Sequence, residues 1–260
     1  MEQLKLIEKV KEISLQDDNV TAVLMYGSFT RGEGDQYSDI EFYIFLNNTK
    51  HFNSLDWVNR IRPTLMFFSN EYGTEVAVFD NMIRGEFHFH NVTDINIVKS
   101  WEGVISFEYA GKMNLVDKTG RLADTLASIK TITPQRNTPD NIQWIAESLI
   151  NTLIMTGNLI KRGELAHAQN SFYFIRMYTL WLIRLVNHAP GHWESPTKKL
   201  EEEIPAEWYT KYSGLIPVLD KESLVSSFES SINLGKELFK ILETPAFLYN
   251  LLNAIDKPCI

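Results

Sequence analysis

The sequence is poor in cysteine, in uninterrupted apolar runs and in positive charge, and each shortage excludes a class of protein. Cys259 is the only cysteine among 260 residues, so neither an internal disulfide nor a cysteine-based zinc site is expected. A reducing compartment suits such a chain. The most apolar helical stretch, from Phe172 to Val186, is interrupted by Arg176 and Arg184 and is too short to span a bilayer.

The charge balance is acidic, with a formal net charge of −8. Nucleic-acid binding needs a positive footprint, so a partner of that class is not expected. The first ten residues alternate charged and apolar side chains and do not resemble a signal peptide. We therefore predict a cytoplasmic protein that acts on a small molecule, without membrane or nucleic-acid partners.

A turn-rich loop between two apolar segments carries the most informative residues. Val20 to Tyr26 is predicted to form one strand and Asp39 to Leu46 a second. The loop between them begins with Gly27-Ser28 and contains three glycines. Glycine after a strand lets a ligand approach the backbone closely, and the Ser28 hydroxyl can donate to a phosphate oxygen.

Asp39 and Glu41 stand two positions apart on the second predicted strand. Side chains on a strand alternate between faces, so both carboxylates should point to the same side. Two adjacent negative charges are unfavourable unless a cation lies between them. Mg²⁺ fits, because it prefers oxygen ligands and is commonly shared between carboxylates and substrate phosphates. The alternative is a polar hairpin whose charges face water.

The order strand, Gly27-Ser28, loop, Asp39-Ile40-Glu41, strand resembles the signature of the DNA polymerase β-like nucleotidyltransferase superfamily. The residues from Gly27 to Glu41 are most similar to the lincosamide nucleotidyltransferases, which are antibiotic-resistance enzymes. The resemblance implies an enzyme that transfers a nucleoside monophosphate, AMP from ATP, to a hydroxyl of a lincosamide in a Mg²⁺-dependent reaction. The superfamily more often has Asp at the second metal position, where this chain has the longer Glu41.

A nucleotidyltransferase needs a third carboxylate from a neighbouring strand, to help bind metal and to take the proton of the attacking hydroxyl. We predict Glu86 for this role, and the surrounding Arg84-Gly85-Glu86-Phe87-His88-Phe89 is similar to the lincosamide enzymes. Glu75, on another predicted strand, is the competitor. Glu86, His88 and His90 share one strand face, so a transition-metal cluster of these three is a second reading.

The triphosphate of a nucleotide needs cationic partners besides the metal. Arg31 lies in the loop itself, and Lys198 lies in a short helix predicted from Pro196 to Ile204. The resembling family also carries a lysine at the place of Lys198. For both residues the alternative is a solvated side chain or a structural ion pair.

The two halves of the chain differ in their hydrophobic period. Residues 1–130 combine strand and helix patterns and are predicted to form the nucleotidyltransferase domain, with Leu65 to Phe68 as a buried strand. Thr131 to Pro139 is polar, carries two prolines and is the predicted linker. Residues 131–260 show helical spacing only and predict an all-α bundle. The fold class is therefore α+β.

Three other functions agree with the same pattern. An aminoglycoside nucleotidyltransferase would use the same chemistry on a polycationic acceptor. A protein-modifying or antitoxin-type nucleotidyltransferase would act on a macromolecule. A nucleotide-binding paralogue would have lost turnover, although the presence of Ser28, Asp39, Glu41 and Glu86 argues against it. A second copy of the chain could complete a shallow acceptor cleft, so a homodimer is a possible partner arrangement.

Overall fold

A computed structural model describes residues 1–102, 110–130 and 134–255. Cys259 and the first part of the predicted linker, 131–133, lie outside the described residues. The chain divides into two compact units, Met1–Pro134 and Gln135–Ile260.

The first unit is built on a six-stranded sheet with the order β3-β4-β5-β2-β1-β6. Its strands are β1 (Val20–Met25), β2 (Ile40–Leu46), β3 (Thr64–Ser69), β4 (Glu75–Phe79), β5 (Arg84–Asn91) and β6 (Asn114–Asp117). β2 and β5 pair in parallel, whereas the other described pairs are antiparallel. The short β6 has no predicted counterpart. It adds an edge to β1 and leaves β2 and β5 in the interior of the sheet.

Helices cover both faces of this sheet. They are α1 (Glu2–Gln16), α2 (Ser28–Arg31), α3 (Ser54–Asn59), α4 (Ala110–Met113), α5 (Arg121–Ser128) and a 3₁₀ segment over Val92–Trp101. Alternate residues of β2 pack to opposite sides: Phe42 joins the core with Val10 of α1, and Phe45 joins the core with Leu122 of α5. Because both faces are covered, most apolar side chains in the middle of the sheet are buried.

β3 is a strand, as predicted, but it is not buried. Leu65 is 66% exposed and Met66 is 50% exposed. The strand lies at the edge of the sheet and pairs only with β4 among the described strands. The apolar composition of Leu65 to Phe68 suggested a buried strand, and an edge position without a covering layer explains the difference.

The second unit is helical, as the sequence predicts. Its helices are α6 (Pro139–Arg162), α7 (Leu165–Val186), α8 (Leu200–Glu203), α9 (Ala206–Ser213), α10 (Lys221–Ile241) and α11 (Ala246–Ala254), with a 3₁₀ turn at Pro190–His192. Thr138 caps α6 by accepting a hydrogen bond from the Asn141 amide, and Gly163 ends the helix in the left-handed conformation with φ +78°. Of the helices in the described ranges, none has the length and apolarity needed to cross a membrane.

The helix predicted from Pro196 to Ile204 is wrong in its first half. Only Leu200–Glu203 is helical, and the preceding residues form turns. The fully buried Arg184 explains this, since its guanidinium is shielded from solvent and donates to the carbonyls of Pro196 at 2.7 Å and Lys198 at 2.8 Å. A buried charge needs such partners. Carbonyls turned toward Arg184 are not available for helical hydrogen bonds.

Candidate active site

The parallel pairing of β2 with β5 brings the candidate carboxylates together. Glu41 lies directly opposite Glu86 in the register, so the two side chains project from the same face of the sheet. Asp39 immediately precedes β2, and continuing the register by one position places it opposite Arg84. Like charges directly opposite each other are destabilising, so the pair of glutamates requires positive charge nearby.

Arg84 supplies part of that charge by bridging two of the carboxylates. Its Nη1 donates to Oδ2 of Asp39 at 2.5 Å, and its Nη2 donates to Oε1 of Glu86 at 2.5 Å. Partial burial disfavours the charged guanidinium, but these two carboxylates outweigh that effect and raise the pKa of Arg84. The sequence reasoning did not identify Arg84 as a site residue. Its place two positions before Glu86, on the same strand face, was the available signal.

Glu41 is the carboxylate whose ionisation is most hindered by this arrangement. Burial, then the charges of Glu86 and Asp39, raise the pKa of Glu41 to about 7, although Arg31 and Arg84 oppose the increase. Gly27 gives this side chain its space. A Cβ at position 27 would lie 1.4 Å from Oε2 of Glu41, and the φ of Gly27 is +79°. Glycine is therefore required here both by the backbone conformation and by the carboxylate.

A hydrogen-bonded chain supports Glu86 from the other side. The Tyr26 hydroxyl donates to Oε2 of Glu86 at 3.1 Å and lies 3.1 Å from Nε2 of His88. Burial, then the charges of Glu86 and Glu41, raise the pKa of Tyr26, so the phenol keeps its proton and remains a donor. The His88 ring stacks on Tyr43 with centroids 4.1 Å apart and an interplanar angle of 6°. This stack orients the His88 ring, whose Nε2 contacts the Tyr26 hydroxyl.

Two alternatives to this arrangement are wrong. Glu75 pairs with Phe87 in the sheet register and so points to the face opposite Glu86, where it accepts a hydrogen bond from Ser54 at 2.7 Å. The rings of His88 and His90 lie nearly parallel, at 11°, with their centroids 6.3 Å apart. Among the residues that the structure describes, no three His, Cys, Asp or Glu side chains form a ready metal cluster.

Asp39, Glu41 and Glu86 do not form a ready metal cluster either, since the guanidinium of Arg84 lies between Asp39 and Glu86. The donor set nevertheless fits a divalent cation. Three carboxylates share one end of the site, and Arg84 bridges only two of them, so negative charge is in surplus there. A cation with oxygen ligands is the chemical species that such a surplus favours.

The remaining predicted residues are placed as follows. Ser28 opens α2 and is half-buried, and its carbonyl accepts a hydrogen bond from the Glu33 amide at 3.0 Å. Arg31 is exposed and pairs with Glu33 at 3.3 Å, while its charge also lowers the pKa of Glu41. Lys198 belongs to the second unit and is half-buried in the turns before α8. Its contribution to nucleotide binding stays a prediction.

Comparisons with known proteins match both units of the chain. A family model described as a nucleotidyltransferase domain matches residues 5–91. A second, described as the C-terminal domain of lincosamide nucleotidyltransferase-like proteins, matches residues 138–256. Among curated proteins, none matches the chain significantly.

Two solved structures align with this chain at low similarity. An aminoglycoside 6-adenyltransferase from Bacillus subtilis has a TM-score of 0.44 at 10% identity, over 95% of this chain and 96% of that one. A nucleotidyltransferase-like protein from Exiguobacterium sibiricum has a TM-score of 0.37 at 12% identity, over 91% of this chain and 78% of that one. With a nucleotidyltransferase domain followed by the C-terminal domain of the lincosamide group, the chain belongs to the lincosamide-type nucleotidyltransferase family and is a nucleotidyltransferase.

Proposed function

We propose that this nucleotidyltransferase transfers AMP from ATP to a hydroxyl group of a lincosamide antibiotic, with Mg²⁺ as its metal. The register that sets Glu41 beside Glu86, with Asp39 at the start of the same strand, carries the proposal for the chemistry. The lincosamide-like C-terminal domain supports the acceptor class. The need for ATP agrees with the cytoplasmic location predicted from the composition.

Glu86 is the proposed general base. Before the metal binds, Arg84 holds one of its oxygens and the Tyr26 hydroxyl holds the other, so the carboxylate is oriented and keeps lone pairs that can accept a proton. Glu86 takes the proton from the acceptor hydroxyl. The hydroxyl oxygen then bonds to the α-phosphorus of ATP in line with the leaving group, and the bond from that phosphorus to the bridging oxygen of pyrophosphate breaks.

Asp39 and Glu41, with Glu86, are the residues that would hold Mg²⁺. When bound, the metal would neutralise phosphate charge and orient the nucleotide for in-line attack. The backbone at Gly27 and the Ser28 hydroxyl are the proposed contacts of the nucleotide's phosphates. Arg31 and Lys198 are the proposed cationic partners of the departing pyrophosphate, and their charge lowers the energy of the transition state.

The test is pyrophosphate release with ATP and Mg²⁺, run in parallel with lincomycin, clindamycin, kanamycin and no acceptor. We expect release with the two lincosamides alone. Release with kanamycin alone would refute the lincosamide assignment and move the acceptor to the aminoglycosides. An Asp39→Asn protein that folds normally should lose about 100-fold or more in turnover. Wild-type turnover by that variant would refute the catalytic site.

A further inference from the structure

The position of Arg84 raises a question that the proposed reaction does not answer. Its two terminal nitrogens contact Asp39 and Glu86, each at 2.5 Å. A divalent cation would need lone pairs of these same carboxylates. The guanidinium and the metal therefore compete for Asp39 and Glu86, because two positive groups at such short range repel each other strongly.

The surroundings of Arg84 allow its side chain to leave. The side chain is 38% exposed, so it has a path into solvent. Its strand position is firm, since Arg84 pairs with Val78 of β4 and the next residue, Gly85, pairs with Ile40 of β2. The backbone of Arg84 would thus remain in β5 while the flexible side chain moves. A guanidinium released beside a triphosphate presents a planar fork of donors that suits phosphate oxygens.

We propose that Arg84 is the resident counter-ion of this site, which gives up Asp39 and Glu86 when the metal binds and then pairs with the phosphates of the nucleotide. The inference rests on the proposed function in taking Asp39 and Glu86 as metal ligands. Arg84 thereby weakens binding of the metal alone and strengthens binding of the nucleotide with its metal. The site favours the complete metal–nucleotide complex over the free ion.

The two roles predict affinity changes of opposite sign in an Arg84→Met variant. Binding of Mn²⁺ alone, followed by electron paramagnetic resonance without nucleotide, should tighten about tenfold, because the competing charge is gone. Binding of α,β-methylene ATP, a non-reacting analogue, at saturating Mn²⁺ should weaken about tenfold, because a phosphate partner is lost. A variant in which Mn²⁺ binding is unchanged or weaker, or in which both affinities change in the same direction, overturns the proposal.

Arg62→Met is the matched control. Arg62 also pairs with an aspartate, Asp80, in the same unit and is similarly exposed at 34%. Arg62→Met should leave the affinities for Mn²⁺ and for the nucleotide analogue unchanged. If it raised Mn²⁺ affinity as much as Arg84→Met does, the effect would come from net charge in general and the proposal would be overturned. If Arg84→Met does not fold, Arg84→Gln keeps hydrogen-bonding groups without the charge. It should show the same tenfold gain, and an unchanged affinity would be equally decisive against the proposal.

The metal titration contains no acceptor, so it separates this inference from the lincosamide assignment. A wild-type enzyme that ignores lincosamides while Arg84→Met binds Mn²⁺ more tightly would refute the acceptor alone. A wild-type enzyme that modifies lincosamides while the variant shows no gain would refute the role of Arg84 alone.

Discussion

The raised pKa of Glu41 predicts that a central residue of the candidate site destabilises the fold. A pKa of about 7 in the folded protein, against 4.5 for the free group, corresponds to about 3 kcal/mol, since one pKa unit is worth about 1.4 kcal/mol. We reduce this to about 2 kcal/mol because the carboxyl is in part solvated. Between pH 4.5 and 7 the folded chain holds a proton that the unfolded chain has released. Stability therefore falls as the pH rises through this window.

Glu41→Gln removes the ionisation and keeps the shape of the side chain. We expect the variant to be about 2 kcal/mol more stable than wild type at pH 8 and equally stable at or below pH 4.5. Urea denaturation in the presence of a chelator measures both values. Glu71→Gln, which neutralises an exposed loop carboxylate, controls for net charge. A Glu41→Gln protein with wild-type stability at pH 8 would refute the electrostatic account of the site.

Three further outcomes follow from the site. Gly27→Ala should destabilise the protein by about 1–2 kcal/mol and abolish metal binding, because the new Cβ meets the Glu41 carboxylate. Gly32 also has a positive φ but lies in the left-handed helical region with no neighbour within 4 Å, so Gly32→Ala should keep metal binding and show only its own backbone cost. Equal effects of the two substitutions in denaturation and Mn²⁺ titrations would contradict the contact with Glu41. Tyr26→Phe should keep the fold and lower kcat about tenfold, measured by pyrophosphate release, because Glu86 loses its phenol partner; an unchanged kcat would remove Tyr26 from the mechanism. Mn²⁺ affinity of the wild-type protein should rise by up to about tenfold per pH unit below pH 7 and level off above it, and a flat titration series from pH 5.5 to 8 would rule out Glu41 as a ligand that must ionise.

Local patterns in the sequence predicted most of the fold. The alternation in β2 and β5, the cap at Thr138 and the stop at Gly163 are properties of a few neighbouring residues, and the structure agrees with them. The α+β class is confirmed for the same reason. The apolar residues of β3 gave a misleading prediction of burial, because strand composition does not state which strands lie at the edge of a sheet.

The site was predicted in its carboxylates but not in the contacts between them. The strand faces of Asp39, Glu41 and Glu86 follow from alternation, whereas their distances depend on which strands become neighbours and in which register. That choice is made by packing across the whole sheet. The bridge from Arg84 and the Tyr26 hydroxyl bond therefore became visible only in three dimensions, although both residues adjoin predicted site residues in the sequence.

The parallel pairing of β2 with β5 also bears on how the enzyme acquires its activity as it folds. Asp39 and Arg84 are 45 positions apart. The chain between them forms β3 and β4, which lie beyond β5 in the sheet, before β5 can pair with β2. Pairing of distant strands closes a long loop and is slow compared with helix formation. The helices of the second unit can form early from local contacts. During refolding, nucleotidyl transfer should consequently appear later than helical content.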